Sequence, residues 1–429
     1  MFGFANFLLL ALFAAAVFDL IFALARGGGL RGALHGLWNT PHLLFGQQLA
    51  EWRLQLGRIL FAAGLAAYEI SVVFCNSMAR QNWAWVQGVM SPVLEWLAFL
   101  CFGAKILFGT RYTWRELLAG GALYFIARWV YFNSQNIWWI GIVVAVLAAK
   151  DVPLRHPLQV YFASGCAAMA VVLALHFAGI VAPDLTSERM GALRGTYGYG
   201  HPNTFGGLVF GLVLAYALLR AQKVRWVDCL LVFAVGVFLL VGPASRSAAL
   251  CTLALAVGLV FCCLRAGHSV PRWWPGTCAG MVGLTAAVSY LLPLLVIKVG
   301  PWNNDIGPAW LAKLDSLLTC RISLTWMAYR LLDVKIAGQV FNWPTVDNSF
   351  AFALFQFGPV VAALLGILFA AALWGHAKQG RRVEVCCLFA MLAYAYMEVQ
   401  PFHLTTNPTA LLLCGAVFAQ TSARWQKIE

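Results

Sequence analysis

Residues 194–219 read RGTYGYGHPNTFGGLVFGLVLAYALL, a polar turn punctuated by glycines that runs directly into an apolar stretch. Glycine lets the backbone turn tightly and approach a ligand closely. Pro202 has a fixed φ and no backbone N–H, which suits it to the first turn of a helix. We therefore predict a polar turn at the mouth of a membrane-spanning helix. The alternative is a simple connection between two spans.

Apolar runs of this kind recur along all 429 residues, of which 62% are hydrophobic and 10% charged. Soluble proteins carry roughly 25% charged residues, and about 20 apolar residues suffice to cross the hydrocarbon core of a bilayer. We predict an all-α, polytopic integral membrane protein with 12 or 13 transmembrane helices. No internal repeat or linker is visible, so residues 1–429 are expected to form a single transmembrane domain.

Thirteen apolar runs are candidate spans, and the run at 136–149 is the weakest of them. Residues 42–57, with Trp52 and Arg53, instead predict an amphipathic helix at the membrane interface. The candidate spans are 3–25, 58–78, 91–109, 116–133, 136–149, 158–181, 204–220, 226–242, 246–264, 275–297, 349–374, 384–399 and 408–421.

The lysines and arginines concentrate in alternate loops, which are expected to face the cytoplasm. The net charge of +13 is therefore attributed to loops beside an anionic leaflet and not to nucleic-acid binding. The cationic loops lie around residues 26–58, 105–115, 150–155, 220–225, 265–272, 378–382 and 424–427. The opposite, extracytoplasmic face then holds loop 182–203, the turn at 245–247, the segment 298–348 and the turn 400–407.

The segment 298–348 is the longest of these features, and its apolar residues fall mostly at helical spacing. We predict an extracytoplasmic loop with an amphipathic helix inserted in it. Cations are normally scarce on a translocated face, so an anionic substrate would explain the five that occur here. A solvated amphipathic helix is the alternative. The cations are Lys298, Lys313, Arg321, Arg330 and Lys335.

Three arginines, Arg194, Arg246 and Arg321, stand at mouths of predicted spans on that face. Arginine binds phosphate oxygens with two parallel hydrogen bonds and keeps its charge. Several arginines around a pyrophosphate would bind it and stabilise its departure as a leaving group without a metal. Arg246 lies between two apolar runs with almost no loop residues around it. A charge inside the membrane is costly, so such a residue needs an ion-pair partner or a function. Snorkelling to the headgroups is the alternative for Arg246.

Four side chains on the same face are candidate bases that could accept a proton from a hydroxyl. Asp347 stands where a span begins, and its alternative role is that of a helix N-cap. Glu398 is an ionisable group inside an apolar run, which indicates a functional or ion-pairing role. His201 could equally be structural, and His403 lies in a short turn.

Several kinds of chemistry find no support in the sequence. Nucleotide-binding, acidic-pair and metalloprotease motifs do not occur, so neither a cofactor nor a metal is expected. The sequence has twelve cysteines but no CxxC pair, and nearly all of them fall in or beside apolar runs. There they are expected to act as small packing residues.

Four short motifs occur in a fixed order: Gly200-His201-Pro202-Asn203 after Arg194, Ser245-Arg246-Ser247, Cys320-Arg321, and Val346-Asp347-Asn348-Ser349. In this order and on one face, they resemble the bacterial Wzy-type polysaccharide polymerases, in the HPN form of Gram-positive capsular and exopolysaccharide enzymes. The resemblance covers residues 186–408, roughly. Related O-antigen ligases carry His-Asn where this chain has Asp347-Asn348, and a glycine would be expected at position 320.

The resemblance implies a metal-independent glycosyltransferase of the GT-C class in the bacterial plasma membrane. Its substrate would be an undecaprenyl-diphosphate-linked oligosaccharide, and a growing glycan would pass from its lipid onto a new lipid-linked repeat at the outer leaflet. A chain-length regulator and a flippase are the partners it implies. Arg246 and Arg321 would bind the pyrophosphate, while Arg194 and the turn at Gly200 would shape the donor site.

The resemblance also bears on the remaining polar residues of the motifs. Asn203 and Asn348 join the substrate-binding set, and Asp347 becomes the first candidate for the base, ahead of Glu398 and His201. Two other functions stay open. An O-antigen ligase-like enzyme would transfer finished glycan to another acceptor, and a flippase or transporter would move lipid-linked oligosaccharide without changing its length.

Overall fold

The computed structural model describes residues 2–25, 29–45, 51–181, 187–189, 192–296 and 307–418. The described chain is almost entirely helical, as predicted. Its α-helices are α1 Phe2–Ala25, α2 Gly29–Asn39, α3 Glu51–Cys75, α4 Ala79–Asn82, α5 Ser91–Phe108, α6 Trp114–Ser134, α7 Ile137–Ala148, α8 Arg155–Phe177, α9 Pro202–Arg220, α10 Trp226–Val241, α11 Arg246–Leu264, α12 Trp274–Leu291, α13 Ala309–Leu317, α14 Arg321–Leu331, α15 Ser349–Phe352, α16 Pro359–Lys378, α17 Arg382–Met397 and α18 Cys414–Val417.

The remaining regular structure is short. Two π-helical turns extend α5 and α15, at Val86–Met90 and Ala353–Phe357, and 3-10 turns occupy Leu292–Leu295, Gln400–Phe402 and Pro408–Leu413. Two antiparallel hairpins are formed by β1 His42–Leu43 with β2 Arg111–Tyr112 and by β3 Ser187–Arg189 with β4 Ala192–Arg194.

Eight of the described helices are long and apolar enough to cross a membrane. This agrees with an all-α membrane protein. Several other predicted spans are helices that are shorter or more polar: α6, for example, has 21 residues but carries Arg115, Glu116 and Arg128. The eight are Asn6–Ala25, Glu51–Cys75, Val86–Phe108, Arg155–Phe177, Pro202–Arg220, Arg246–Leu264, Trp274–Leu295 and Pro359–Lys378.

The two shortest apolar runs, at 136–149 and 408–421, are largely buried in the helical bundle. Their apolar composition is the reason that the sequence predicted them to be membrane spans. Helix α7 has 12 residues, about 18 Å at 1.5 Å per residue, and residues 139–148 are all buried. The predicted span 408–421 is instead a 3-10 turn followed by α18, with residues 419–421 outside the described part. Other parts of the bundle cover residues 139–148 and most of residues 408–418, which accounts for their apolar composition.

The predicted interfacial helix 42–57 is wrong in its extent. Residues 42–43 form β1, and Glu51 already begins α3, which continues as a single helix to Cys75. Trp52 is 62% exposed while Arg53 on the neighbouring face is buried. The amphipathic turns are thus the first turns of a span, and residues 46–50 lie outside the described part.

The segment predicted as a loop with one amphipathic helix contains two helices. Helices α13 and α14 are separated at Thr319 and Cys320, whose φ angles of 62° and 63° are incompatible with a continuous helix. Trp310 and Leu317 remain largely exposed, as expected for a helix at a membrane interface. Residues 297–306, including Lys298, lie outside the described part.

The helices bring the loops together at two opposite ends of the bundle. Residues of the cationic loops meet at one end, here called the basic end: Lys150 donates to the carbonyl of Arg111 (2.7 Å) and Arg382 to that of Arg265 (2.5 Å). At the other, the polar end, Arg194 donates to the carbonyl of Ala244 (3.3 Å). Helix α9 runs from the polar end to the basic end and packs against α8, α11 and α17.

Helix α9 packs closely against the chain around Thr405 because it presents a glycine there. A Cβ atom on Gly211 would lie 2.7 Å from the Thr405 carbonyl oxygen and 2.8 Å from the Tyr161 hydroxyl. Distances below 3.0 Å require movement of the surroundings. Position 211 therefore sets the distance between α9 and the segment that follows α17.

We expect Gly211→Ala to destabilise the fold by about 1–3 kcal/mol, since an extra methyl group must displace backbone in a packed core. Thermal unfolding of the purified protein in detergent measures this as a lower melting temperature. Gly121→Ala is the matched control, because no atom lies within 4 Å of a Cβ there and alanine favours a helix interior. Equal melting temperatures for the two variants would contradict the close packing.

Candidate functional site at the polar end

Side chains from three distant parts of the chain form one hydrogen-bonded network at the polar end. The network joins Arg194, Asn203, Arg321 and Glu398, and its directly bonded residues are up to 195 positions apart in sequence. Both arginines and Glu398 are buried, with 6%, 7% and 5% of their surface exposed. The sequence predicted that these residues share a face, and the structure brings them into direct contact.

Arg194 ends the β3–β4 hairpin and donates from Nη2 to the side-chain oxygen of Asn203 (2.9 Å) and to the Ala244 carbonyl (3.3 Å). Asn203 lies in the first turn of α9 and links Arg194 to Glu398, because its side-chain amide donates to Oε1 of Glu398 (3.0 Å). The glycine-rich turn is thereby fixed to the residue that follows α17. Its orientation does not depend on one loop alone.

Glu398 is the centre of the network. Its Oε1 atom accepts from Asn203 and from Nη2 of Arg321 at 2.5 Å. Its backbone carbonyl accepts from the Ser349 hydroxyl (2.6 Å), which ties the motif around Asp347 to the same point. A buried carboxylate needs a cation and hydrogen-bond donors to stay charged, and Glu398 has both.

The Arg321 guanidinium uses all three of its nitrogens inside the protein. Nη1 donates to the Leu318 carbonyl (2.8 Å), Nη2 to the Ser247 hydroxyl (3.3 Å) and Nε to the Met397 carbonyl. Leu318 and Met397 lie at the C-terminal ends of α13 and α17, where a cation is favourable. Arg321 was expected to bind pyrophosphate directly. In the structure it also joins the C-terminal ends of α13 and α17 to Ser247 at the start of α11.

The backbone before Arg321 has the conformation that the expected glycine would favour. Cys320 has φ 63° and ψ 20°, in the left-handed region. Asp315, which sequence reasoning did not single out, stabilises the turn: its Oδ1 accepts from the backbone amides of Ile322 (2.8 Å) and Ser323 (3.1 Å). An acidic residue seven positions before the first amide that it binds gave no recognisable capping signal.

Arg246 is exposed and stands between two buried serines, of which Ser247 contacts the network. Ser247 accepts from Arg321, and Ser245 lies against Gly206, where a Cβ atom would come within 2.5 Å of the serine Cβ. The backbone on either side of Arg246 is therefore fixed while its guanidinium reaches the surface. Of the three predicted arginines, Arg246 is the one whose side chain is exposed at the polar end.

The N-cap at the second span mouth is Asn348 and not Asp347. Asn348 accepts from the amides of Phe350 (2.9 Å) and Ala351 (3.1 Å) and donates to the Ser289 hydroxyl (3.0 Å). The neighbouring Asp347 is half-buried, and its carboxylate makes no hydrogen bond or ion pair with any described residue. It lies close enough to Glu398 for the two carboxylates to interact electrostatically.

His201 caps helix α9. Its Nδ1 atom accepts from the Asn203 amide at 3.1 Å, so a neutral ring carries its proton on Nε2. The ring is exposed, and Gly200 beside it has open space where a side chain would lie. Both residues therefore shape the surface of the turn, and neither enters the buried network through a hydrogen bond to Glu398 or Arg321.

His403 is unsuited to act as a base. Its ring packs on Trp138 with centroids 3.8 Å apart. Burial lowers the pKa of His403 to about 3, so the ring is neutral and weakly basic at physiological pH. Among the four candidate bases, Asp347 combines partial exposure with a carboxylate that the described structure leaves available.

No protein-family model, curated protein or solved structure matches this chain. The described residues also contain no group of three or more His, Cys, Asp or Glu side chains placed to hold a metal ion. Function is therefore inferred from the network, from the two side chains at its edge, and from the motifs quoted above. Those two side chains are the exposed Arg246 and the half-buried Asp347.

We expect Arg321→Met alone to destabilise the protein by about 3–5 kcal/mol, because it leaves Glu398 buried without its cation. The double variant Arg321→Met/Glu398→Leu removes both charges and should recover most of that loss. Chemical unfolding in detergent measures both values. A double variant as unstable as the single one would show that the ion pair is not what Arg321 contributes.

Proposed function

We propose that this protein is a glycosyltransferase that polymerises lipid-linked oligosaccharide repeats, as the Wzy-type resemblance implies. The observation that carries the proposal is the placement of an exposed guanidinium, Arg246, and an available carboxylate, Asp347, around one buried polar network. A cation suits a diphosphate leaving group and a carboxylate suits an attacking hydroxyl. The site would face the extracytoplasmic side of a bacterial plasma membrane.

The proposed reaction is a direct displacement at the anomeric carbon of the donor glycan. A hydroxyl oxygen of the incoming lipid-linked repeat forms the new bond to that carbon. The bond from the carbon to the undecaprenyl diphosphate oxygen breaks, and the electron pair leaves with the diphosphate. The hydroxyl proton passes to the carboxylate of Asp347. The atoms and charges balance with no further reactant.

Arg246 would supply the charge that stabilises the leaving diphosphate. Its exposure lets it reach a phosphate, and the fixed serines on either side limit how far its backbone can move. A fixed backbone lowers the entropy cost of holding the guanidinium beside an oxyanion, and charge placed in this way stabilises a leaving group.

The buried residues would act mainly by positioning. Arg321 and Asn203 both contact Glu398, so the turn with Arg194, the start of α14 and the end of α17 hold one another in place. Arg321 has five N–H groups and donates four hydrogen bonds within the protein, so one N–H of Nη1 is left for a substrate phosphate. Glu398, engaged by a cation and an amide, is a weaker candidate for the base than Asp347.

We expect Asp347→Asn to lower the rate of chain extension by about 10²–10⁴-fold, the usual contribution of a general base. The measurement is the ladder of glycan lengths formed by purified protein from an undecaprenyl-diphosphate-linked repeat. Asp333→Asn is the control, because Asp333 is an exposed aspartate of the same segment. A full-length ladder from Asp347→Asn would exclude this residue as the base.

We expect Arg246→Gln to reduce the same rate by about 10²–10³-fold with little change in melting temperature, since a single preorganised donor typically contributes that much. Arg330→Gln removes an exposed arginine from the last turn of α14 and should leave the ladder unchanged. If both variants extend chains as the parent protein does, the diphosphate is not held at Arg246.

The two rival functions predict different products in the same assay. A ligase would transfer finished glycan to another acceptor and would leave repeat-unit length unchanged when only lipid-linked repeat is present. A flippase would carry the lipid-linked repeat across a liposome membrane with no change in glycan length. The appearance of longer lipid-linked chains would distinguish polymerisation from both.

A further inference from the structure

A second candidate site lies at the basic end, opposite the network. A cavity of about 730 Å³ opens there between the ends of α8, α9, α10, α11 and α17. Small-molecule sites in proteins commonly have volumes of roughly 300–1,000 Å³. The proposed glycosyl transfer uses no residue of this cavity.

The cavity wall is strongly cationic. Six basic side chains line it and only one carboxylate, Glu384, accompanies them, which gives a formal charge of +5 when Glu384 is ionised. Like charges held together at a cavity wall are unfavourable unless an anion or solvent compensates them. The basic residues are Arg155, Arg220, Lys223, Arg225, Arg381 and Arg382.

Two of the six cations already have partners that fix them. Arg220 forms an ion pair with Asp228 through Nε at 3.0 Å and Nη2 at 3.3 Å. Arg382 donates to the carbonyl oxygens of Arg265 and His268, which orients it without neutralising its charge. The cavity therefore has a rigid cationic edge.

The other four cations make no ion pair with any residue in the described ranges. They are Arg155, Lys223, Arg225 and Arg381, contributed by the start of α8, the α9–α10 connection and the turn before α17. Convergence of four cations without an ion pair from three loops on one cavity points to an anion with several oxygen acceptors. Phosphate is the group that arginine and lysine recognise best in such an arrangement.

The rest of the wall indicates that the anion carries an apolar part. Leu158, Leu218 and Trp226 line the same cavity. Trp226 begins α10, which is exposed along its apolar surface, with Val227 74% and Leu230 68% accessible. A lipid lying along α10 could therefore place its headgroup in the cavity while its acyl chains stay in the bilayer.

We propose that this cavity binds the phosphate headgroup of an anionic phospholipid from the leaflet at the basic end. Basic pockets between transmembrane helices are suited to such headgroups. The proposal does not depend on the glycosyltransferase reaction, because the two sites lie at opposite ends of α9 and share no residue. Either could fail in experiment while the other stands.

The test is native mass spectrometry of the delipidated protein titrated with phosphatidylglycerol or phosphatidylcholine of equal chain length. We expect retained phosphatidylglycerol and weak retention of phosphatidylcholine. Lys223→Gln/Arg381→Gln should weaken phosphatidylglycerol binding roughly 30-fold, the effect of two cations near an anionic lipid. Arg31→Gln/Arg272→Gln removes two exposed cations outside the cavity and should retain the affinity of the parent protein.

Three outcomes would overturn the proposal. Equal retention of the two lipids would show that the cavity does not distinguish lipids by the charge of their headgroups. Equal losses in the two double variants would show general surface attraction. Inorganic pyrophosphate is the third arm: if it binds to the parent protein and not to Lys223→Gln/Arg381→Gln, while phosphatidylglycerol binds to neither, the ligand is a free phosphate compound and not a lipid. Melting temperatures of all variants identify any that fail to fold.

Discussion

The buried ion pair between Arg321 and Glu398 is the contact on which the polar end depends. Removing two charges from water costs several kcal/mol per ion unless geometry and further hydrogen bonds compensate. Here Nη2 of Arg321 lies 2.5 Å from Glu398, and Asn203 donates to the same carboxylate oxygen. The partners come from α9, the start of α14 and the residue after α17, so the pair fixes three elements at once.

The same contact links the interior of the bundle to its surface. Ser247 accepts from Arg321 and Ser349 donates to the carbonyl of Glu398. Each serine lies within two residues of a side chain that we place in the reaction, Arg246 or Asp347. The buried charges thereby fix the backbone beside Arg246 and Asp347. The contrast between buried charges that fix the backbone and accessible side chains beside them explains why a largely apolar protein has so many polar residues in its short interhelical connections.

The two ends of the bundle use charge differently. At the polar end, both buried arginines donate hydrogen bonds within the protein, while the side chain of Arg246 is exposed. At the basic end, several cations line a cavity with a single carboxylate. Alternate helix directions separate the two sets by the length of α9, about 28 Å for 19 residues. The two proposed sites are therefore far apart and can be tested independently.

The amino-acid sequence by itself determined the helical membrane class and the pairing of cationic loops at one end, because long apolar runs and loop charges are local properties. It also predicted that Arg194, Arg321 and Glu398 share a face. Only the tertiary structure decided that Glu398 accepts from Asn203 and Arg321, that Asn348 and not Asp347 caps α15, and that α7 is buried by protein. These depend on contacts between residues far apart in the chain, which hydropathy and spacing do not record.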